Sequence, residues 1–202
     1  MIKAIIFDFD GVIADSLPAV EKAARKAMIR LKYPFPVISR DDSLWNIITR
    51  KMKLNIFQRL RLIKAIKKEV VPFIRDISVF AGMRELLIEL QKKYKVIILS
   101  SNSMETISTL LSKYKFPQIE IVSDTSLFKK DKKLKRLLKK KGLSTEEAVY
   151  IGDEVRDVEA CKRANIEIFA VNWGYNSEKA LRKAGATHII RKPEEILRFL
   201  QK

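Results

Sequence analysis

Cysteine and histidine are almost absent from this 202-residue chain; each occurs once, as Cys161 and His188. A lone thiol excludes an internal disulfide, and one Cys with one His excludes the clusters that hold zinc. Cys161 lies in the helix-like stretch "EACKRA", which fits a reduced, cytoplasmic location. No stretch reaches the ~20 apolar residues of a membrane span, and the apolar start "AIIF" is too short for a secretion signal, so no membrane association is expected. Acidic residues are also scarce, 24 Asp and Glu against 41 Lys and Arg, which leaves a formal charge of +17. Such a surplus attracts anions of every size, from metabolite phosphates to nucleic acid, without choosing among them. Heat-adapted proteins share this composition.

What the chain does have is alternation. Four short apolar runs, "KAIIFDFD", "KVIILSS", "AVYIGD" and "IEIFAV", are separated by stretches of helical periodicity such as "GMRELLIELQKKY", "METISTLLSKY", "KKLKRLLKKKG" and "EVRDVEACKRA". Runs apolar on both faces suit parallel strands covered by helices on both sides, so the fold class is α/β with a Rossmann-like parallel sheet. A fifth run, "THII", and then "KPEEILRFLQK" read as a last strand and a terminal helix, and Gly142 reads as a helix C-cap. Residues 16–79 break the pattern, reading as helix after helix interrupted at Pro34, Pro36 and Pro72. They form an inserted helical lobe, with residues 1–15 and 80–202 as the α/β core. The lobe holds fifteen Lys and Arg against five Asp and Glu, a surplus of ten, so the basicity is concentrated there.

In an open parallel sheet, ligands bind at the carboxyl ends of the strands. That rule gathers Asp8 and Asp10 after the first strand, Ser100, Ser101 and Asn102 after the second, and Asp153 and Asp157 after the third. Carboxylates packed together resist ionisation unless a cation sits between them, and oxygen-only ligands beside a phosphate favour Mg²⁺.

With these residues in place, the sequence resembles the haloacid dehalogenase superfamily of phosphohydrolases across nearly its whole length. Four signatures occur in order: "DFDGVIADS", "VIILSSNS", a lysine in "SLFKKD", and "YIGDEVRD". The insertion after the first signature stands where that family places a small helical cap, here 16–79. The resemblance implies that Asp8 attacks phosphorus to give an aspartyl-phosphate, and that Asp10 serves first as acid and then as base. It further implies that Gly11 permits a turn near the phosphate and that Ser100 and Ser101, with Asn102 beside them, hold phosphoryl oxygens. Mg²⁺ is then ligated by Asp8, by the backbone carbonyl of Asp10 and by Asp153. The lysine is expected to be Lys130, although Lys129, Lys132 and Lys133 are close and Asp131 replaces the proline that often follows. Asp157 either orients that lysine or reaches the metal through water, and Asp15 braces the hinge into the cap.

The expected substrate is a small phosphorylated metabolite, and resemblance is greatest to phosphoglycolate-phosphatase-like members. A sugar-phosphate mutase of the β-phosphoglucomutase kind carries a histidine early in the cap, and "DSLPAVEKAARKAM" has none. A nucleic-acid-binding or end-phosphatase role is the other alternative, although the basic stretches lack interleaved aromatics for base stacking. His188 is assigned no catalysis and Trp173 a packing role beside the crevice. Trp45 and Arg50, in the lobe, are candidates to face substrate. A monomer or homodimer is expected.

Overall fold

Strand β1 (Ala4–Phe7) is buried on both faces, and its side chains divide between two cores. Ile5 and Phe7 join one, Ala4 and Ile6 the other, as the two-residue period of a strand requires. The structure, a computed structural model, describes residues 1–36, 39–42, 46–124 and 130–200, leaving aside the side chain of Arg50. Trp45, Lys129 and the Arg50 side chain, named above, therefore lie outside the described residues.

The same alternation runs through β4 (Lys95–Ser100), β6 (Ala148–Gly152) and β7 (Glu167–Val171). Val96, Ile98, Val149, Ile151, Phe169 and Val171 pack with β1's Ile5 and Phe7 against α3 (Met83–Gln91), α4 (Met104–Lys113) and α8 (Glu195–Leu200). The opposite faces pack against α5 (Lys130–Lys141), α6 (Val155–Ala164) and α7 (Glu178–Ala184). Helices thus cover both faces of one parallel sheet, whose edges are β5 (Glu120–Ser123) and β8 (His188–Ile190) and whose order is β5-β4-β1-β6-β7-β8. The carboxyl ends of β1, β4 and β6 are level, with Phe7 opposite Ile98 and Ile151. Strand β1 is where the winding reverses, the switch point at which α/β sheets place their ligands.

Five strands carry the apolar runs read from the sequence. The sixth, β5 (Glu120–Ser123), was not among them because all four residues are half-buried on an edge and two are polar, so no buried run marks it. Strand β8 (His188–Ile190) is the other edge, and α7 supplies the crossover that parallel pairing with β7 requires. Gly142 follows α5 with φ +65°, closing it as expected of a glycine C-cap.

Between Asp15 and Ser78 the chain leaves the sheet. Helices α1 (Leu17–Arg30) and α2 (Ile56–Val70) pack through a separate core in which Ala23, Ala24 and Ala27 let Leu62, Ile63 and Ile66 approach closely. A short π-helix (Ile47–Lys51) and a 3₁₀ turn (Val71–Asp76) complete the lobe, and Pro72 sits in the first turn of the latter, where its missing N–H costs no helical bond. Outgoing strand β2 (Ala14–Asp15) and returning strand β3 (Ser78–Val79) form an antiparallel ribbon at the neck, where Asp15 is paired with Ser78. Among the described residues, no helix is long and apolar enough to cross a membrane.

Candidate active site

Strand β1 ends by delivering Asp8 into the gap between β4 and β6. Its N–H still donates to Ile151 O at 2.9 Å, so the residue is held at the sheet rim and is 5% exposed. The chain then turns sharply: Ile13 N and Ala14 N both donate to Phe9 O, and Gly11 N donates to Ala14 O at 2.8 Å. Gly11 has φ +73°, and a Cβ there would strike both the Asp153 carboxylate and the Tyr175 ring. Only glycine fits, because the left-handed backbone and the close approach are required together.

The turn separates the duties of the two carboxylates. Lys130 Nζ lies 2.5 Å from Asp8 Oδ2 and 2.5 Å from Asp157 Oδ1, over the ring of Tyr150. Burial opposes the Lys130 charge, but the Asp157 and Asp8 carboxylates outweigh it and hold the ammonium above the ordinary lysine range. Asp10 instead accepts from Ser16 Oγ and from Asn102 Nδ2, each at 2.7 Å. Burial pushes its carboxyl up to about 6; the Ser16 hydrogen bond works against this and the Asp8 charge adds to it.

At the end of β4, Ser100 is 3% exposed and its Oγ accepts from Asn102 N at 3.1 Å. Ser101 is half-buried and lines a cavity of about 500 Å³ between the sheet rim and the lobe. Asn102, read from the sequence as lying beside the phosphoryl group, has its amide engaged with Asp10. Ser103 caps α4, accepting from Thr106 N at 3.2 Å.

After β6, Asp157 Oδ2 accepts from Asp153 N (3.2 Å) and Glu154 N (3.1 Å), which leaves Oδ1 for Lys130. Both oxygens are engaged, an arrangement that orients the lysine. Asp153 is fully buried; its Oδ2 accepts from Tyr175 N at 2.7 Å, and its Oδ1 has no hydrogen-bond partner. Burial, then the charges of Glu154, Asp157 and Asp8, push its carboxyl well above the ordinary range. Carboxylate oxygens of Asp8, Asp153 and Asp157 lie within 4.8 Å of one another. An orphaned oxygen inside a buried, oxygen-only cluster fits a hard divalent cation, which would relieve both the repulsion and the missing partner.

A family model described as haloacid dehalogenase-like hydrolase matches residues 5–171, spanning β1 to the end of β7. The chain belongs to this family. It is 30% identical to a phosphoglycolate phosphatase of Synechococcus elongatus, over 96% of this chain and 95% of that one. Among solved structures, a hydrolase from Pseudomonas syringae is similar at 26% identity with a TM-score of 0.80, covering 98% of each chain. A predicted phosphatase from Clostridium acetobutylicum shares the fold, with a TM-score of 0.83 at 19% identity and full coverage of both chains.

Several residues of this haloacid dehalogenase-like site were not among those read from the sequence. Tyr175 meets Ser16 Oγ through its hydroxyl at 2.9 Å and so extends the Asp10 hydrogen-bond chain. The strand-end rule, applied also to β7, points to "NWGYNS" and would have included it. Arg156, paired with the buried Glu154 carboxylate, lines the cavity from α6, and Lys67 lines it from α2. Arg40, on the lobe, donates to the carbonyls of Asn172 and Gly174, while its own carbonyl accepts from Ser177 N at 2.7 Å. The lobe thereby grips the loop that carries Tyr175. Lys133 is turned to Asp124, 3.3 Å from its carboxylate. Trp173 donates from Nε1 to Val12 O at 3.2 Å and packs against Phe80. His188 lies on edge strand β8, between Phe169 and Phe199.

The raised Asp10 carboxyl has a consequence for stability. Its folded value of about 6 exceeds the unfolded value of 3.8, so the folded state binds more protons between those limits and stability falls as pH rises through that window. In metal-free protein, Asp10→Asn is therefore expected to raise the unfolding free energy at pH 7 by roughly 1–3 kcal/mol and to leave it unchanged near pH 3.5. Urea unfolding of both proteins at the two pH values checks this; a loss of stability at pH 7 would refute the assignment.

Proposed function

We propose that the chain is a Mg²⁺-dependent phosphatase, acting in the cytoplasm on a small phosphomonoester through an aspartyl-phosphate on Asp8. The observation that carries this reading is the contrast between two carboxylates at the end of one strand. Asp8 is ion-paired with Lys130, whereas Asp10 is pushed up to about 6 among hydrogen-bond donors. Pairs of acids with such unlike surroundings divide into nucleophile and proton carrier. The phosphoglycolate phosphatase name of the Synechococcus relative supports the reaction class and keeps phosphoglycolate among the candidate substrates.

The chain's residues then act as follows. Asp8 forms a bond to phosphorus as the ester oxygen leaves, and Asp10 protonates that oxygen. Asp10, now a carboxylate, takes a proton from the water that attacks phosphorus, and the Asp8–phosphorus bond breaks. Lys130, oriented by Asp157, reduces the repulsion between Asp8 and the anionic substrate. The Ser100 hydroxyl and the Ser101 backbone N–H hold phosphoryl oxygens, with Gly11 keeping the turn close and Asn102 steadying Asp10. Asp8, the Asp10 carbonyl and Asp153, together with Asp157, would hold Mg²⁺, which would offset charge on the phosphoryl oxygens. Residues 16–79 serve as a cap over the core formed by 1–15 and 80–202, excluding water and contacting the leaving group.

Phosphate release from an aryl phosphate is the direct test. It is expected with Mg²⁺, absent after chelation, and recovered when Mg²⁺ is restored in excess. No release at any Mg²⁺ concentration would overturn the reading.

A further inference from the structure

The cavity between sheet rim and lobe is larger and more apolar than a phosphoryl group with a two-carbon acid requires. At about 500 Å³ it falls in the ~300–1,000 Å³ range of pockets that enclose drug-sized ligands. Asp10, Ser101 and Asn102 form its floor, where the phosphoryl group is proposed to sit. Above the floor the lobe contributes an aliphatic wall that includes Val20, Ile63, Ile66, Val70, Ile74 and Ile77. A wall of this kind gains nothing from contact with a carboxylate or a sugar hydroxyl, and burying such groups against it without partners is costly. It gains from covering an apolar body. Among the described residues, Tyr175 is the aromatic side chain on the lining, and its hydroxyl is tied to Ser16. The lining thus gives little support for stacking a nucleobase.

Two cations interrupt the apolar lining. Arg156 is engaged by Glu154, beside the rim. Lys67, in the last turn of α2, is the cation that the lobe contributes among the described residues. Its ammonium is held below the ordinary lysine range by partial burial first and by repulsion from Lys133 next, with Asp10 acting the other way and Arg156 adding to the repulsion. Lys67 and Asp10 line the same cavity. Lys133 is paired with Asp124 and Arg156 with Glu154, so the charge that the lobe itself presents to an anionic group on this lining is the Lys67 ammonium.

We propose that this cavity takes a phosphomonoester whose leaving group has an apolar body larger than a two-carbon acid and carries a second anionic group that Lys67 binds. The inference rests on the phosphatase reading above and narrows its substrate class. It departs from the substrate named for the Synechococcus relative, because a two-carbon acid leaves the aliphatic wall uncovered.

The experiment compares kcat/KM for phosphoglycolate, benzyl phosphate and para-carboxybenzyl phosphate with Mg²⁺, in the native protein and in Lys67→Ala. The native protein is expected to prefer para-carboxybenzyl phosphate over phosphoglycolate by about tenfold or more. Lys67→Ala is expected to lower the ratio of para-carboxybenzyl to benzyl phosphate by about tenfold, and Lys67→Arg to keep most of it. Faster turnover of phosphoglycolate than of either benzyl ester overturns the size and polarity assignment. An unchanged ratio in a folded Lys67→Ala overturns the role of Lys67, since the lysine would then serve the phosphoryl group common to both esters. Release from these esters in the wrong order leaves the phosphatase reading standing, whereas no release from any of the three removes that reading and this inference with it.

Discussion

Asp8→Asn is expected to cut phosphate release by at least about 10⁴-fold while the protein still unfolds cooperatively. The amide has the shape of the carboxylate and can still accept from Phe9 N, which donates to Asp8 Oδ1 at 2.7 Å. It cannot form the bond to phosphorus, and a nucleophile that acts as one unit with its partners takes nearly the whole rate enhancement with it when removed. Lys130 keeps Asp157 as a partner, so the loss should be chemical and not structural. Stopped reactions should also show a hydroxylamine-labile phosphoprotein in the native chain and none in the variant. Activity in Asp8→Asn above about a tenth of native would place the nucleophile elsewhere.

Lys130→Met is expected to lower both rate and stability. Its ammonium neutralises Asp8 and Asp157, whose side chains are 8% and 0% exposed, and a Met side chain leaves two carboxylates facing each other beside Tyr150. Breaking a buried pair by removing one partner leaves an uncompensated charge, so the unfolding free energy of metal-free protein should fall by on the order of 3 kcal/mol. Turnover should fall on the order of 10²-fold. Mg²⁺ should restore part of the stability and little of the rate. Lys133→Met is the control: the Lys133 side chain is 13% exposed, but its partner Asp124 is 36% exposed, so the carboxylate left behind stays solvated and the expected loss is only about 1 kcal/mol. Equal destabilisation by the two variants in urea unfolding would show that the Asp8–Lys130–Asp157 triad has no special place in the fold.

The sequence made the floor of the site readable and left its walls dark. Asp8, Asp10 and Asp153 stand out because each follows a run of residues buried on both faces, where a charge is costly without a purpose. Strand periodicity carries that signal locally. Lys130 was harder to pick, since four lysines crowd the start of α5 and only the direction of a helix face separates the one on Asp8 from the one on Asp124. Lys67 and Arg156 carried no local mark, because their meaning depends on how the lobe is set against the sheet. Strand β5 escaped for a related reason: an edge strand half-covered by its neighbours does not need the unbroken apolar run that betrays a central one.

The neck ribbon has a bearing on how such a chain changes over time. Ala14 and Asp15 leave the sheet beside the residues by which the chain returns, Val79 and Ser78, so the two ends of the excursion are already joined by hydrogen bonds. Whatever lies between them closes a loop whose ends need not be brought together, and the entropic cost of a longer or different excursion grows only slowly with its length. Segments inserted at adjacent anchor points can be exchanged while the rest of the domain keeps its own core. Asp8 and Asp153 belong to that rest, and Lys67 belongs to the exchangeable part. In the proposed function, the residues that cleave the bond and the lysine that selects the molecule thus lie on separate pieces of chain, joined at the neck and by the Ser16 bond to Asp10.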